Sequence, residues 1–251
     1  MNARKIVVIC VVCVFALSGL LIGCGSSNGD PEEKTFKAYI QHFGGDDYVS
    51  GLEVEALSNE TGDSLGITAK SDGTGWVTFN WGEIQVADKV GFLSKEEVGN
   101  WVNTYQFNID SNAQAERLWA VDQTTYVGAP AYAGLTVEDG KAIMAGGLYF
   151  VEADDTENHI GCADVKANPE DGEVRYFADN GNPTTLAVRD TTNPLVAYFI
   201  IANMEPGKQV VEAYIDTEKI GQTDLFVYAD SISISNIYTD KATDPEPSNC
   251  E

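Results

Sequence analysis

Trp76-Val77-Thr78-Phe79-Asn80-Trp81 is the stretch that decides the fold class. Val77, Phe79 and Trp81 fall on one side of a two-residue repeat, and Trp76, Thr78 and Asn80 on the other. A repeat of two is the period of a β-strand with one face buried. Trp81 therefore belongs to a core. Trp76 points outward, beside the turn signal Asp72-Gly-Thr-Gly75. An outward aromatic on a sandwich is a platform on which a sugar ring can stack, and Trp76 is the one candidate ligand-binding residue read from the chain. Core or interdomain packing is the ordinary role of a tryptophan and is the alternative for Trp76 as well.

The same chemistry recurs on both sides of this stretch. Phe36 to Ile40, Leu52 to Leu57, Val86 to Leu93 and Tyr105 to Ile109 are short runs rich in β-branched and aromatic residues, separated by Gly, Asn and Asp clusters. A second set runs from Met144 to Val151, Cys162 to Ala167, Glu173 to Phe177, Leu195 to Ala202, Gln209 to Ile215, Thr223 to Tyr228 and Ser231 to Tyr238. Many short strands with little helix predict an all-β protein of two tandem antiparallel sandwiches, at 35–110 and 142–238. Ser111 to Ala120 consists of good helix formers behind a candidate N-cap, so a short helix is expected there, within a connector at 111–141. Ser94 to Glu97 has the spacing of a capping box. Residues 239–251 read as a tail.

The amino terminus is of another kind. Arg4 and Lys5 precede an uncharged apolar run from Ile6, which closes on Leu21-Ile22-Gly23-Cys24. A basic region, an apolar region and small residues before a cut site make a secretory signal. The run is also shorter than the roughly 20 apolar residues of a retained span. Leu-Ile-Gly-Cys resembles the lipobox of bacterial lipoproteins. That resemblance implies removal of 1–23, a fatty-acylated Cys24 as the first mature residue, and anchoring in a cell membrane or outer membrane. Gly25, which is not the aspartate of inner-membrane retention, points by the same resemblance to the outer membrane. Residues 24–34 then form a polar tether. Cys10 and Cys13 fall in the discarded part. Cys162 and Cys250 remain, and an even count outside the cytoplasm reads as one disulfide, with two separate thiols as the alternative.

A further resemblance lies in the second half. Gly161-Cys-Ala-Asp-Val165 opens it. Asp190-Thr-Thr-Asn-Pro-Leu-Val-Ala-Tyr-Phe199 runs from a Thr/Asp turn into an aromatic strand. Asn203-Met-Glu-Pro-Gly207 then precedes Gln209-Val-Val-Glu-Ala213. This order is similar to the carboxypeptidase regulatory-like domain, which implies a prealbumin-like sandwich of the carbohydrate-binding-like kind over about residues 142–238. Residues 35–110 match more faintly, through Asp72-Gly-Thr-Gly75.

Composition bounds the partners. With 15 basic and 39 acidic residues the chain carries a formal charge of −24. Nucleic acid is bound by Lys and Arg displacing counterions, so it is not an expected partner. Docking on anionic lipid by charge is disfavoured for the same reason. A calcium-dependent adhesion module is one alternative, although the spaced oxygens of a D-x-D-x-D-G loop are absent and Asp154, Asp155, Glu157 and His159 read as a solvated acidic loop. No cofactor or metal is expected. Gly62-Asp-Ser-Leu65 spells the string of a serine esterase family, but it sits at a hairpin tip. The histidines, His42 and His159, do not have the spacing that family requires, so Ser64 lacks a legible base. The reading is a non-enzymatic, surface-tethered binding or structural module, with a glycan or an envelope protein as partner. A hydrolase using Ser64 is the remote alternative.

Overall fold

The period-two pattern around Trp81 forms a strand, and its partners determine everything else. The structure is a computed structural model. It describes residues 34–239 except 46, 83–85, 96–99 and 153–155. The signal segment, Cys24, the tether apart from Lys34, Glu97, Asp154, Asp155 and Cys250 lie outside the described residues.

Three sheets are present among the described residues. The first has the order β4-β1-β8-β6: Trp76–Asn80, Thr35–His42, Glu116–Asp122 and Trp101–Val102. The second contains ten strands. Its path is β12 (Glu173–Tyr176), β13 (Tyr198–Met204), β9 (Ala142–Val151), β16 (Ile232–Ile234), β7 (Thr104–Asp110), β5 (Lys89–Ser94), β2 (Glu53–Ser58) and β3 (Ser64–Lys70). Two more strands, β10 (Glu157–His159) and β17 (Ile237–Thr239), also pair with β9. The third sheet is β11-β14-β15: Asp164–Ala167, Gly207–Ile215 and Glu218–Val227. Most ladders are antiparallel. The pairs β1–β8, β7–β16, β9–β16 and β9–β17 are parallel.

These sheets bury two sandwich cores. In the first, Phe36, Ile40, Val77, Phe79, Trp81 and Leu118 of the four-stranded sheet face Val54, Ala56, Val90 and Phe92 of the ten-stranded one. Phe36 and Phe92 stack at 4.7 Å and Phe79 lies 5.7 Å from Trp81, so the core is a pile of rings. Each such ring contributes about 1.5–3 kcal/mol on burial, and the Trp81 indole N–H donates to the Ser111 carbonyl at 3.3 Å. In the second core, Met144, Leu148, Tyr176, Phe199 and Ile201 pack on Val165, Val211, Ala213 and Leu225. Val165, Tyr176, Phe199, Ile201, Val211 and Ala213 are buried in it, and Val174 is half-buried against it.

The two cores share a sheet. β16 lies between β7 of the first half and β9 of the second, and Leu57 and Phe107 of the first half belong to the second core. Contacts accordingly gather the described residues into one unit. Gly146 shows how tightly the crossing is made. A Cβ there would lie 2.2 Å from the carbonyl oxygen of Ser235, which passes over β9.

The helix is not where helix propensity places it. Ser111 to Ala120 is no helix: Glu116–Asp122 forms β8, parallel to β1, with Leu118 and Ala120 buried in the first core. Burial of an alternating face outweighs the preferences of Gln, Glu and Arg, which are worth only tenths of a kcal/mol each. The helix, α1, is Gln123–Tyr132 and contains Gly128 and Pro130. It starts there because the Asp122 carboxylate caps it, accepting from the Thr125 N–H at 2.6 Å. It persists because Ala129, Ala133 and Tyr126 cover the face of the large sheet opposite the second core.

Candidate functional site

The outward side of the four-stranded sheet carries an ordered set of large side chains. Alternation in β1 sends Phe36, Ala38 and Ile40 inward, which leaves Lys37, Tyr39 and Gln41 outward. Register then aligns neighbours. Tyr39 stands opposite Trp76 on one side and Arg117 on the other. One step along, Gln41 stands opposite Trp119 and bridges to Tyr48. Two rows result, Trp76–Tyr39–Arg117 and Tyr48–Gln41–Trp119. Each crosses about 10 Å of sheet at a strand spacing near 4.8 Å.

The contacts make this a fixed surface. Tyr39 meets Trp76 edge-on at 5.5 Å and Tyr48 at 5.6 Å. The Arg117 guanidinium lies 5.0 Å over the Trp119 ring, and its Nε donates to the Tyr39 hydroxyl at 3.3 Å. Trp76 is 40% exposed and Tyr48 60% exposed. Gly75, at φ +83°, lets Tyr48 lie against the turn, because a Cβ there would fall 2.7 Å from the Tyr48 Cβ. Asp72 holds the same turn. Its carboxylate accepts from the Thr74 hydroxyl at 2.7 Å, the Thr74 N–H at 2.8 Å and the Trp76 N–H at 3.0 Å, which keep its pKa below the usual carboxylate range.

The other residues singled out in the sequence are dispersed. Ser64 is exposed at the start of β3, after the hairpin in which Gly62 takes φ +76°, and its hydroxyl donates to Glu55. Burial pushes the Glu55 carboxyl up, but hydrogen bonds from Ser64 and Lys95 outweigh it and leave the pKa lowered. His42 pairs with Asp122 at 3.0 Å, and His159 Nδ1 donates to the Leu195 carbonyl at 2.5 Å. Neither histidine is bonded to Ser64. Glu157 accepts from the Tyr238 hydroxyl at 3.1 Å. Among the described residues no group of three or more His, Cys, Asp or Glu converges as a metal site. Cys162 takes a positive φ of 60° just before β11, and its side chain is engaged.

Two further clusters are present. A cleft of about 280 Å³ is lined by Lys166, Asn168, Glu170, Glu212 and Tyr214. Its central carboxylate, Glu212, already accepts from Lys219, Tyr214 and Asn168 at 2.7–2.9 Å. The second is a ring group in which Tyr149 lies 5.2 Å from His159 and 5.8 Å from Tyr238. Burial pushes the Tyr149 hydroxyl well up and that of Tyr238 up to about 12.

Sequence reasoning found Trp76 but missed the company it keeps. Tyr39 was legible, since the alternation of Phe36 to Ile40 places it outward. Arg117 and Trp119 were hidden by the helical reading of their segment. Tyr48 sits in a loop, where no period exists to orient it.

No protein family and no curated protein sequence matches the chain. Among solved structures, the minor pilin GBS52 of Streptococcus agalactiae is 9% identical, with 84% of this chain and 98% of that chain covered and a TM-score of 0.28. The shaft pilin SpaA of Lactobacillus rhamnosus GG is 7% identical, over 83% of this chain and 98% of that one, at a TM-score of 0.24. The Bacillus anthracis TIE protein is 12% identical, over 82% of this chain and 34% of that one, at 0.25. Among the described residues no helix is long and apolar enough to cross a membrane.

Proposed function

We propose that this chain is a non-enzymatic cell-envelope module, tethered to a membrane by a fatty-acylated Cys24, that presents the β4-β1-β8 face to a glycan or protein of the envelope. The observation that carries the reading is the exposed, pre-ordered face built by Trp76, Tyr48, Tyr39 and Arg117. Aromatic rings and arginine are the groups that dominate recognition surfaces, because they bury much area at a low cost in side-chain order. A folded enzyme instead gathers nucleophile and base within hydrogen-bond reach. Ser64 bonds Glu55 while both histidines bond elsewhere, which disfavours the hydrolase alternative.

The anchoring half of the proposal rests on Leu21-Ile22-Gly23-Cys24. Cells fed a labelled fatty acid are expected to label the protein, and Cys24→Ser is expected to remain an unlabelled, larger precursor. Equal labelling of the variant would overturn the anchor. The contact half is tested with Trp76→Ala and Tyr48→Ala in pull-downs of envelope polymers by the purified full-length protein. Capture unchanged in both would remove this face from the function.

A further inference from the structure

We propose that the β4-β1-β8 face binds an acidic polysaccharide through its hexuronate units, with a pyranose ring stacked on Trp76 and Tyr48 and the sugar carboxylate held by Arg117. This rests on the reading of that face as the contact surface and names its ligand class.

Charge sorting is the first argument. The chain has 39 acidic residues against 15 basic ones. On the outward positions of β1, β4 and β8, however, Lys37 and Arg117 appear and no carboxylate does. Asp72, in the turn before Trp76, is spent on its own turn, while Asp47, next to Tyr48, is exposed at the margin of the face. The charged groups at the outward strand positions are thus basic, and they favour an anionic group at Arg117 against the repulsion of the net charge of −24.

The second argument is what Arg117 does. Arg175 and Arg189 lie on carboxylates, at 3.3 Å from Glu173 and 4.0 Å from Asp179. Arg117 makes no salt bridge within 4.0 Å among the described residues, although the neighbouring Glu116 carboxylate feels its charge. It is steadied by the Trp119 ring and through Nε by Tyr39. That fixes the guanidinium plane and leaves its terminal nitrogens for a planar anion. A fork of donors matches a carboxylate in two parallel hydrogen bonds.

The third argument is shape. β1 is paired on both sides, so over Tyr39 and Gln41 a partner is met by side chains, while β4, which carries Trp76, ends the sheet. The side chains there present a flat surface about 10 Å wide. A pyranose offers a flat set of C–H bonds, slightly positive, to the negative faces of aromatic rings. The Tyr39 hydroxyl, which accepts from Arg117, keeps its own O–H to donate to a sugar hydroxyl, while the Gln41 amide N–H already donates to the Gly45 carbonyl. An acidic peptide supplies the charge without the flat apolar face. Single-stranded nucleic acid would stack as well and would meet the same net charge of −24 as a polyuronate, so oligo-dT is one of the probes.

The test uses the full-length protein in detergent, with calorimetry and tryptophan fluorescence as readouts. Probes are oligogalacturonate, alginate and hyaluronate fragments, the methyl ester of oligogalacturonate, neutral cellohexaose, and oligo-dT. At least one uronate polymer is expected to bind, with oligogalacturonate or its counterpart at least about tenfold tighter than the uncharged ester, a difference that narrows with salt. Trp76→Ala and Tyr48→Ala should each weaken binding about tenfold or more without moving the melting temperature. Arg117→Gln should weaken binding of the acid more than that of the ester and so abolish the preference for acid over ester. Arg117→Lys should restore the preference only in part. Binding to none of the uronates, equal affinity for acid and ester, or a preference that survives in Arg117→Gln overturns the inference. Capture of cellohexaose or oligo-dT alone, lost in Trp76→Ala, overturns the ligand class while leaving the face as a contact surface. Envelope capture indifferent to Trp76 and Tyr48 defeats the contact-surface reading itself.

Discussion

Single residues in this fold differ in cost according to which side of a strand they occupy. Phe199 is fully buried in the second core, while Trp76 stands outward on β4. Phe199→Ala should lower stability by about 3–5 kcal/mol, the lost transfer energy plus the cavity left behind. That is a large part of a domain stability of roughly 5–15 kcal/mol. Trp76→Ala should cost much less, since the ring's main partner is the neighbouring Tyr39. Urea denaturation of both variants checks the pair. A Phe199→Ala midpoint no lower than that of Trp76→Ala would contradict the register of β13. The same side-chain alternation that makes Trp76 dispensable for folding leaves it available for binding.

At the scale of elements, the three-stranded sheet is tied by one carboxylate. Glu212 on β14 accepts from Lys219 on β15 at 2.9 Å, from Tyr214 at 2.7 Å and from Asn168, just past β11, at 2.9 Å. The Lys219 bond first, then the Tyr214 hydroxyl, hold the Glu212 carboxyl below its ordinary value of 4.5. A carboxyl whose folded pKa is lowered stabilises the fold above its unfolded pKa and loses that contribution as pH falls through the folded value. Glu212→Gln should therefore melt below the wild type at neutral pH. The gap should shrink as pH drops below the ordinary value of 4.5. Thermal melts across that window decide it, and a gap constant with pH would refute the role. The helix carries the opposite lesson about elements. Its segment holds Gly128 and Pro130, yet the Asp122 cap and the cover that Ala129 and Ala133 provide make it helical. Strong helix formers just upstream became β8, because a vacant position beside β1 could bury Leu118 and Ala120.

At the scale of the molecule the question is how separable the halves are. We expect residues 142–251, expressed alone, to fold, since most of the second core comes from that segment. The melt should be cooperative but lower than that of the full chain, because β16 loses β7 and the core loses Leu57 and Phe107. Absence of a cooperative transition would show that the shared sheet is indispensable. Cys162 and Cys250 are expected to form a disulfide that closes a loop of about 90 residues, contributing roughly 4–5 kcal/mol by the chain-entropy estimate. Two titratable thiols in the unreduced, denatured protein would rule it out. What the sequence determined by itself was local. The period of two around Trp81 made strands, Asp72-Gly-Thr-Gly75 and Gly62-Asp63 made turns, and Leu21-Ile22-Gly23-Cys24 carried the export reading, because each depends on neighbours within a few residues. What only the tertiary structure decided was which strands meet. A strand's inward and outward faces follow from its own alternation, but its partners follow from which surfaces can be buried together over long stretches of chain. For that reason β8 beside β1, β16 between the two halves, and Tyr39 between Trp76 and Arg117 could not be read from the chain.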